Sequence, residues 1–129
     1  MAVEVAPNAT RCVSPGRTPL FIGGAAACRT APGLSIAGAM TAAMPALVRN
    51  LALEITPVRA KLIAVGLVDT PLSASRLGDQ LEARREQLRR TLPIRRVVQP
   101  TDVAALAVHH MTNSAVTAAT SDIDGGQQL

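Results

Sequence analysis

Few of the 129 residues can handle protons, charge or metal, and they are unevenly placed. Lys61 is the only lysine, and there is no tyrosine or tryptophan. His109 and His110 are adjacent, so on a helix their rings point in different directions and do not form an i, i+4 metal pair. Surface or packed roles are expected for both, and no metal site. Cys12 and Cys28 are too few and too widely spaced for zinc. No secretory signal is read ahead of them, so free thiols in a reducing, cytoplasmic compartment are expected. Basic charge is nearly all arginine, concentrated at Arg84, Arg85, Arg89, Arg90, Arg95 and Arg96, and the net charge is +4. Glu82 and Glu86 are interspersed among these arginines, which favours a solvated helix face over a nucleic-acid footprint. Phe21 is the only aromatic ring of the Phe/Tyr/Trp type, so stacking platforms for single strands are missing as well. No nucleic-acid partner is expected.

The elements that must carry these residues follow from periodicity and punctuation. Residues 1–19 show none of the former and much of the latter, and read as an irregular tail ahead of a domain over 20–129. Leu20–Ile22 is a short apolar run ending in Gly23-Gly24, which suits a buried strand with close backbone approach at its end. Residues 25–35 read as a loop. Ile36, Met40, Met44, Leu47, Leu51 and Ile55 recur every three or four residues and predict a helix, with Pro45 as an expected kink and Pro57 as its stop. Lys61–Val65 is a second strand. Ser73–Leu92 is a second helix, with Leu77, Leu81, Leu88 and Leu92 on one side. A third helix starts near Pro100, with Thr101 as the expected N-cap and Asp102 at its positive end. Val116–Ile123 is β-prone and closes at Asp124-Gly125-Gly126. Short apolar strands alternating with helices argue for an α/β fold of about three parallel strands with right-handed crossovers and covering helices. The apolar stretch from Leu20 to Val48 is broken by Arg29, Pro32, Gly33 and Pro45, so no uninterrupted run reaches the roughly 18 residues that span a bilayer. No membrane partner is expected.

Several segments, in order, resemble the C-terminal half of the short-chain dehydrogenases/reductases. Asn50-Leu51-Ala52-Leu53-Glu54 followed by Val58–Ala64 is similar to that family's long helix leading into its sixth strand. Gly66-Leu67-Val68-Asp69-Thr70-Pro71 is similar to its Pro-Gly-x-Val-x-Thr loop, with Val65 at the place of the proline. Pro93-Ile94-Arg95-Arg96 and Pro100–Ala104 resemble its Pro-x-x-Arg segment and following helix. Asp122–Gly126 is similar to its terminal strand and Asp-Gly-Gly signature.

The resemblance implies a partial Rossmann-like, doubly wound domain and an NAD- or NADP-dependent oxidoreductase. It implies that Gly66, Val68 and Thr70 meet the nicotinamide carboxamide: Gly66 by allowing close approach, Val68 by its backbone, Thr70 by its hydroxyl. The alternative for these three is an ordinary strand-to-helix turn. The family's proton relay is a Ser, a Tyr and a Lys, with Tyr and Lys one helical turn apart. Those positions fall near Gly24 and on Ala37 and Thr41. None can substitute, so no catalytic residue is assigned. A Gly-rich phosphate turn is not found in these residues either.

Four readings follow: a truncated or degenerate member without independent activity; an enzyme completed by another chain; a non-catalytic module that self-associates or binds a family partner through the 36–56 helix; and, last, an Arg-rich nucleic-acid binder.

Overall fold

A computed structural model describes residues 13–14, 16–25 and 32–129. Cys12, Cys28 and most of the predicted tail lie outside the described residues, as does much of the loop expected at 25–35. The elements are β1 (Leu20–Gly24), α1 (Ser35–Glu54), β2 (Lys61–Val65), α2 (Pro71–Leu77), a 3-10 turn (Gly78–Gln80), α3 (Leu81–Thr91), α4 (Pro100–Thr112) and β3 (Thr120–Ile123). The strands form one parallel sheet in the order β1-β2-β3. This is the α/β, Rossmann-like arrangement the alternation predicts.

β2 is central and reads Lys-Leu-Ile-Ala-Val, with its first four residues buried. A strand covered on both faces has no need of polar alternation. Leu62 joins Val48, Leu51 and Ile55 of the α1 side in the main core, where Phe21, Met44 and Leu47 pack around them. Each fully buried aliphatic side chain of this kind contributes about 1.5–3 kcal/mol. Successive strand residues face opposite sides, so Lys61 looks the other way, towards α4. A second cluster of Leu88, Leu92 and Val97 packs against Leu67 at the carboxyl end of the sheet.

Several predicted boundaries move. β1 runs on through Gly23 and Gly24, which pair with Ala64 and Val65. A Cβ at Gly23 would lie 3.3 Å from Leu62 Cδ1 and 3.8 Å from Met44 Cγ, so the strand end does approach closely. The helix expected over 73–92 starts at Pro71 and breaks in two. Gly78 sits at φ 49°, ψ −125°, a conformation that no helix contains and that favours glycine. The expected N-cap Thr101 lies inside α4. Gln99 caps it instead, because Pro100 suits the first helical position and Asp102, at the third, accepts from the Gln99 N–H at 2.8 Å. The strand expected from Val116 begins only at Thr120, since Ala118 turns through φ 55° with its N–H bonded to Ala60 O.

The predicted apolar stripe of the first helix is buried along only part of its length. Leu51 and Ile55 are buried, joined by Val48, while Ile36 is 76% and Met40 58% exposed. α1 stays helical through Pro45. By length and composition alone it is long and apolar enough to cross a membrane, although Pro45 interrupts its sequence. Its Val48–Leu51 side is packed against the sheet.

Candidate functional site

Gly66, Val68 and Thr70 lie on the loop from β2 to α2, at the carboxyl edge of the parallel sheet. Open α/β sheets place ligands at that edge. The fold brings all three to one cavity of about 590 Å³, walled by Ile22, Leu72 and Val103 among others. Thr70 caps α2: its Oγ1 accepts from Ser73 N at 3.1 Å, while Ser73 Oγ accepts from Thr70 N at 3.0 Å and donates to Thr70 O at 2.8 Å. The Thr70 hydroxyl proton is not used by that cap. Val68 forms an isolated parallel bridge to Val98, and Asp69 N donates to Val98 O at 2.9 Å. Asp69 pairs with Arg85 at 2.6 Å, and that hydrogen bond holds the Asp69 carboxyl below its ordinary value. The loop is thus pinned from both sides.

Gly66 also meets the chain's own terminal turn. A Cβ there would lie 2.7 Å from both Asp124 Cβ and Gln127 Oε1. The space is taken by the chain's own Asp-Gly-Gly turn. Gly126 sits at φ 84° with Pro93 against it, where a Cβ would be 2.6 Å from Pro93 Cγ. Gly66 N donates to Ile123 O, and Leu67 N donates to Gln127 Oε1 at 3.0 Å. A second cavity of about 310 Å³ lies beside the first and shares Val65, Gly66 and Leu67 with it. Gly24, Arg84 and Gln127 also line it. Sequence reasoning missed Gln127 and counted Arg84 only within a charge run. No spacing rule signals an amide that reaches back 60 residues to cap a strand end.

Ala37 and Thr41, the positions that the resemblance gives to the relay Tyr and Lys, lie in the first turns of α1. Thr41 Oγ1 bonds back to Ala37 O at 2.9 Å and Gly38 O at 3.0 Å, so the hydroxyl is spent on its own helix. Lys61 is 0% exposed and donates to His110 O and Asn113 O at the far end of the sheet. Burial, then the Arg59 charge, lowers its pKa. His110 is buried and its Nε2 lies 2.9 Å from Ser121 Oγ, whereas His109 is exposed. Among the described residues no group of three His, Cys, Asp or Glu is placed to hold a metal. The arginine run is largely paired within the chain, Arg85 to Glu82, Arg89 and Arg90 to Glu86, Arg96 to Asp102.

The loop residues present a mainly apolar cavity, one hydroxyl proton not used by the helix cap and a pinned backbone.

Comparison with known proteins agrees with this layout. A family model described as enoyl-(acyl carrier protein) reductase matches residues 2–128. The short-chain dehydrogenase/reductase malC of Malbranchea aurantiaca is 29% identical over 98 residues, 76% of this chain and 37% of its own. The solved structure of MalC, a reductase/Diels-Alderase, superposes with a TM-score of 0.88 at 25% identity, over 97% of this chain and 49% of that one. A small-chain dehydrogenase in complex with NADPH superposes with a TM-score of 0.89 at 26% identity, over 98% of this chain and 58% of that one. The chain therefore spans between about a third and three-fifths of the length of these relatives. With a family match along nearly the whole sequence and a shared parallel α/β fold, the chain belongs to the short-chain dehydrogenase/reductase family.

Proposed function

We propose that this chain is an oxidoreductase-family member that keeps the nicotinamide-end loop and does not itself carry out NAD(P)-dependent carbonyl reduction. One observation carries the reading. The relay positions on α1 are Ala37 and Thr41, with the Thr41 hydroxyl bonded to Ala37 O, and the only lysine is buried elsewhere. An alanine methyl has no proton to transfer, and a threonine hydroxyl does not titrate usefully near neutral pH. These positions lie within the chain, so residues outside it do not change what α1 presents. A bound nicotinamide would supply the hydride, and Gly66, Val68 and Thr70 would meet its carboxamide. The test is oxidation of NADH or NADPH by the purified chain with a panel of aldehydes and ketones, followed by nicotinamide absorbance. No turnover above a buffer blank is expected. Steady turnover with contaminating enzymes excluded would sink the reading.

A second reading, an interaction module built on α1, draws on Ile36 and Met40, which are large, apolar and exposed on the stripe that continues into the core. Under it, Ile36→Glu with Met40→Glu shifts the chain to a smaller species in sedimentation velocity. An unchanged distribution counts against it.

A further inference from the structure

The amino end of the sheet gathers cations that no carboxylate pairs among the described residues. Lys61, at the start of β2, is buried and donates to His110 O and Asn113 O. Arg59, two residues earlier, donates to Asn113 O, Met111 O and Gly16 O. The end of α4, which would otherwise favour a histidine cation, is therefore already occupied. His110 is 2% exposed in this setting. Its Nε2 meets Ser121 Oγ on β3, while its Nδ1 is buried with no hydrogen-bond partner among the described residues. Lys61 faces the ring from β2 and His109 faces it from its own helix. On β3 the ring meets Ser121; Asp122, the next residue, is exposed and alternates to the other face.

That geometry accepts a neutral imidazole and opposes a charged one. A neutral ring has one donor and one acceptor nitrogen, and a serine hydroxyl can serve either. A proton added to the ring makes both nitrogens donors. Nδ1 would then carry a charged N–H with nothing to accept it, beside a buried ammonium. Moving the ring into water removes both costs, but the ring does not move alone. The carbonyls of His110 and Asn113 hold Lys61, and the segment that follows is tied to the same strand, Ala118 N to Ala60 O and Ala60 N to Thr117 Oγ1. We propose that His110 is an acid-operated latch, whose protonation releases the last turn of α4 and residues 113–119 from β2 and β3. The carboxyl edge of the sheet stays folded. Its ties, Gly66 N to Ile123 O, Leu67 N to Gln127 Oε1 and Asp69 N to Val98 O, share no partner with this cluster.

The test is amide hydrogen exchange of the purified chain across pH, followed by NMR and corrected for the intrinsic pH dependence of exchange. Burial, then the Lys61 and His109 charges, lower the His110 pKa from 6.5, so the closed state loses its advantage as the pH falls below about 6.5. The opening equilibrium at Asn113, Val116 and Ala118 is expected to rise by up to about tenfold per pH unit there, while Leu67 and Asp69 keep their protection. His110→Gln takes up no proton and flattens the response; His109→Gln, at the exposed neighbour, keeps it. His109 and His110 are the only histidines, so the His110 ring signals can be followed in the wild type, and in His109→Gln, even where His110→Gln does not fold. They should reach those of a solvated imidazolium with the same midpoint as the amide response. Protection at Asn113, Val116 and Ala118 that is flat with pH overturns the proposal. So does a response that persists in His110→Gln, a ring midpoint that differs from the amide midpoint, or a response shared equally by Leu67 and Asp69, which would mark global unfolding.

Discussion

At the scale of single residues, Lys61 and His110 are the informative pair. A lysine at 0% exposure is costly to bury, and its ammonium is held by the carbonyls of His110 and Asn113. Those carbonyls lie at the C-terminal end of α4, where the helix dipole favours a cation. Lys61→Ala removes the clamp and opens space beside Ile63. A loss of roughly 2–4 kcal/mol in urea unfolding is expected. His110 titrates below its ordinary value of 6.5, first because it is buried and then because Lys61 and His109 are close. The unfolded chain therefore takes up this proton at a higher pH than the folded one. The stability that neutral His110 contributes is full above about pH 6.5 and is lost as the pH falls through the folded value. Urea midpoints measured between about pH 8 and pH 5 should fall with a slope that His110→Gln reduces. An equal slope in both proteins would place the acid sensitivity elsewhere.

At the scale of elements, the terminal turn and the start of α4 are the points to probe. Gly66→Ala forces a methyl into Asp124 and Gln127, both part of the turn after β3. The expected cost is about 1–3 kcal/mol, with faster hydrogen exchange at Leu67 N–H as the bond to Gln127 is displaced. At α4, Asp102 accepts from Arg96 and from Gln99 N–H, and Arg96 is the larger influence. Together they lower the Asp102 carboxyl to about 2. The stability it contributes is present above the ordinary carboxylate value of 3.8 and is lost as the pH falls through about 2. Carbonyl NMR of Asp102 should show this midpoint in the wild type and a value nearer 3.8 in Arg96→Gln. A titration that does not move with Arg96→Gln would assign the shift to the helix start alone.

At the scale of the molecule, β1 is an edge strand of the sheet among the described residues, and Ile22 on it is 55% exposed. Edges of this kind pair with other chains unless they are protected. Concentration-dependent sedimentation is expected, and Ile22→Lys should reduce it. The same incompleteness bears on rescue. Gly24→Ser, Ala37→Tyr and Thr41→Lys together would rebuild the relay positions. General acid–base catalysis multiplies a bound complex by roughly 10²–10⁴-fold. Under the proposed function the described residues offer a loop for the nicotinamide end and no Gly-rich phosphate turn, so that complex should hardly form. NADPH oxidation by the triple variant is expected to stay at the blank. Detectable oxidation would show that cofactor binding survives in this chain and would reverse the assignment at residue scale.

Much of this architecture was legible in the residues alone. Apolar runs closed by glycine, helical periodicity and prolines at helix starts are local signals. They placed six elements in order and implied parallel pairing, because short strands separated by helices have few other ways to bury both faces. That the sequence has no tyrosine and one lysine needs no structure to establish. The break at Gly78 and the late start of β3 were not, because a positive φ at Gly78 or Ala118 is chosen by packing and not by propensity. Nor was the reason for Gly66, which depends on Asp124 and Gln127 arriving from some 60 residues away. Hydrophobic pattern acts between neighbours along the chain. Which polar group is left unpartnered beside which charge depends on contacts that exist only once the sheet has formed, and that is why the cluster of Arg59, Lys61 and His110 belongs to the tertiary structure alone.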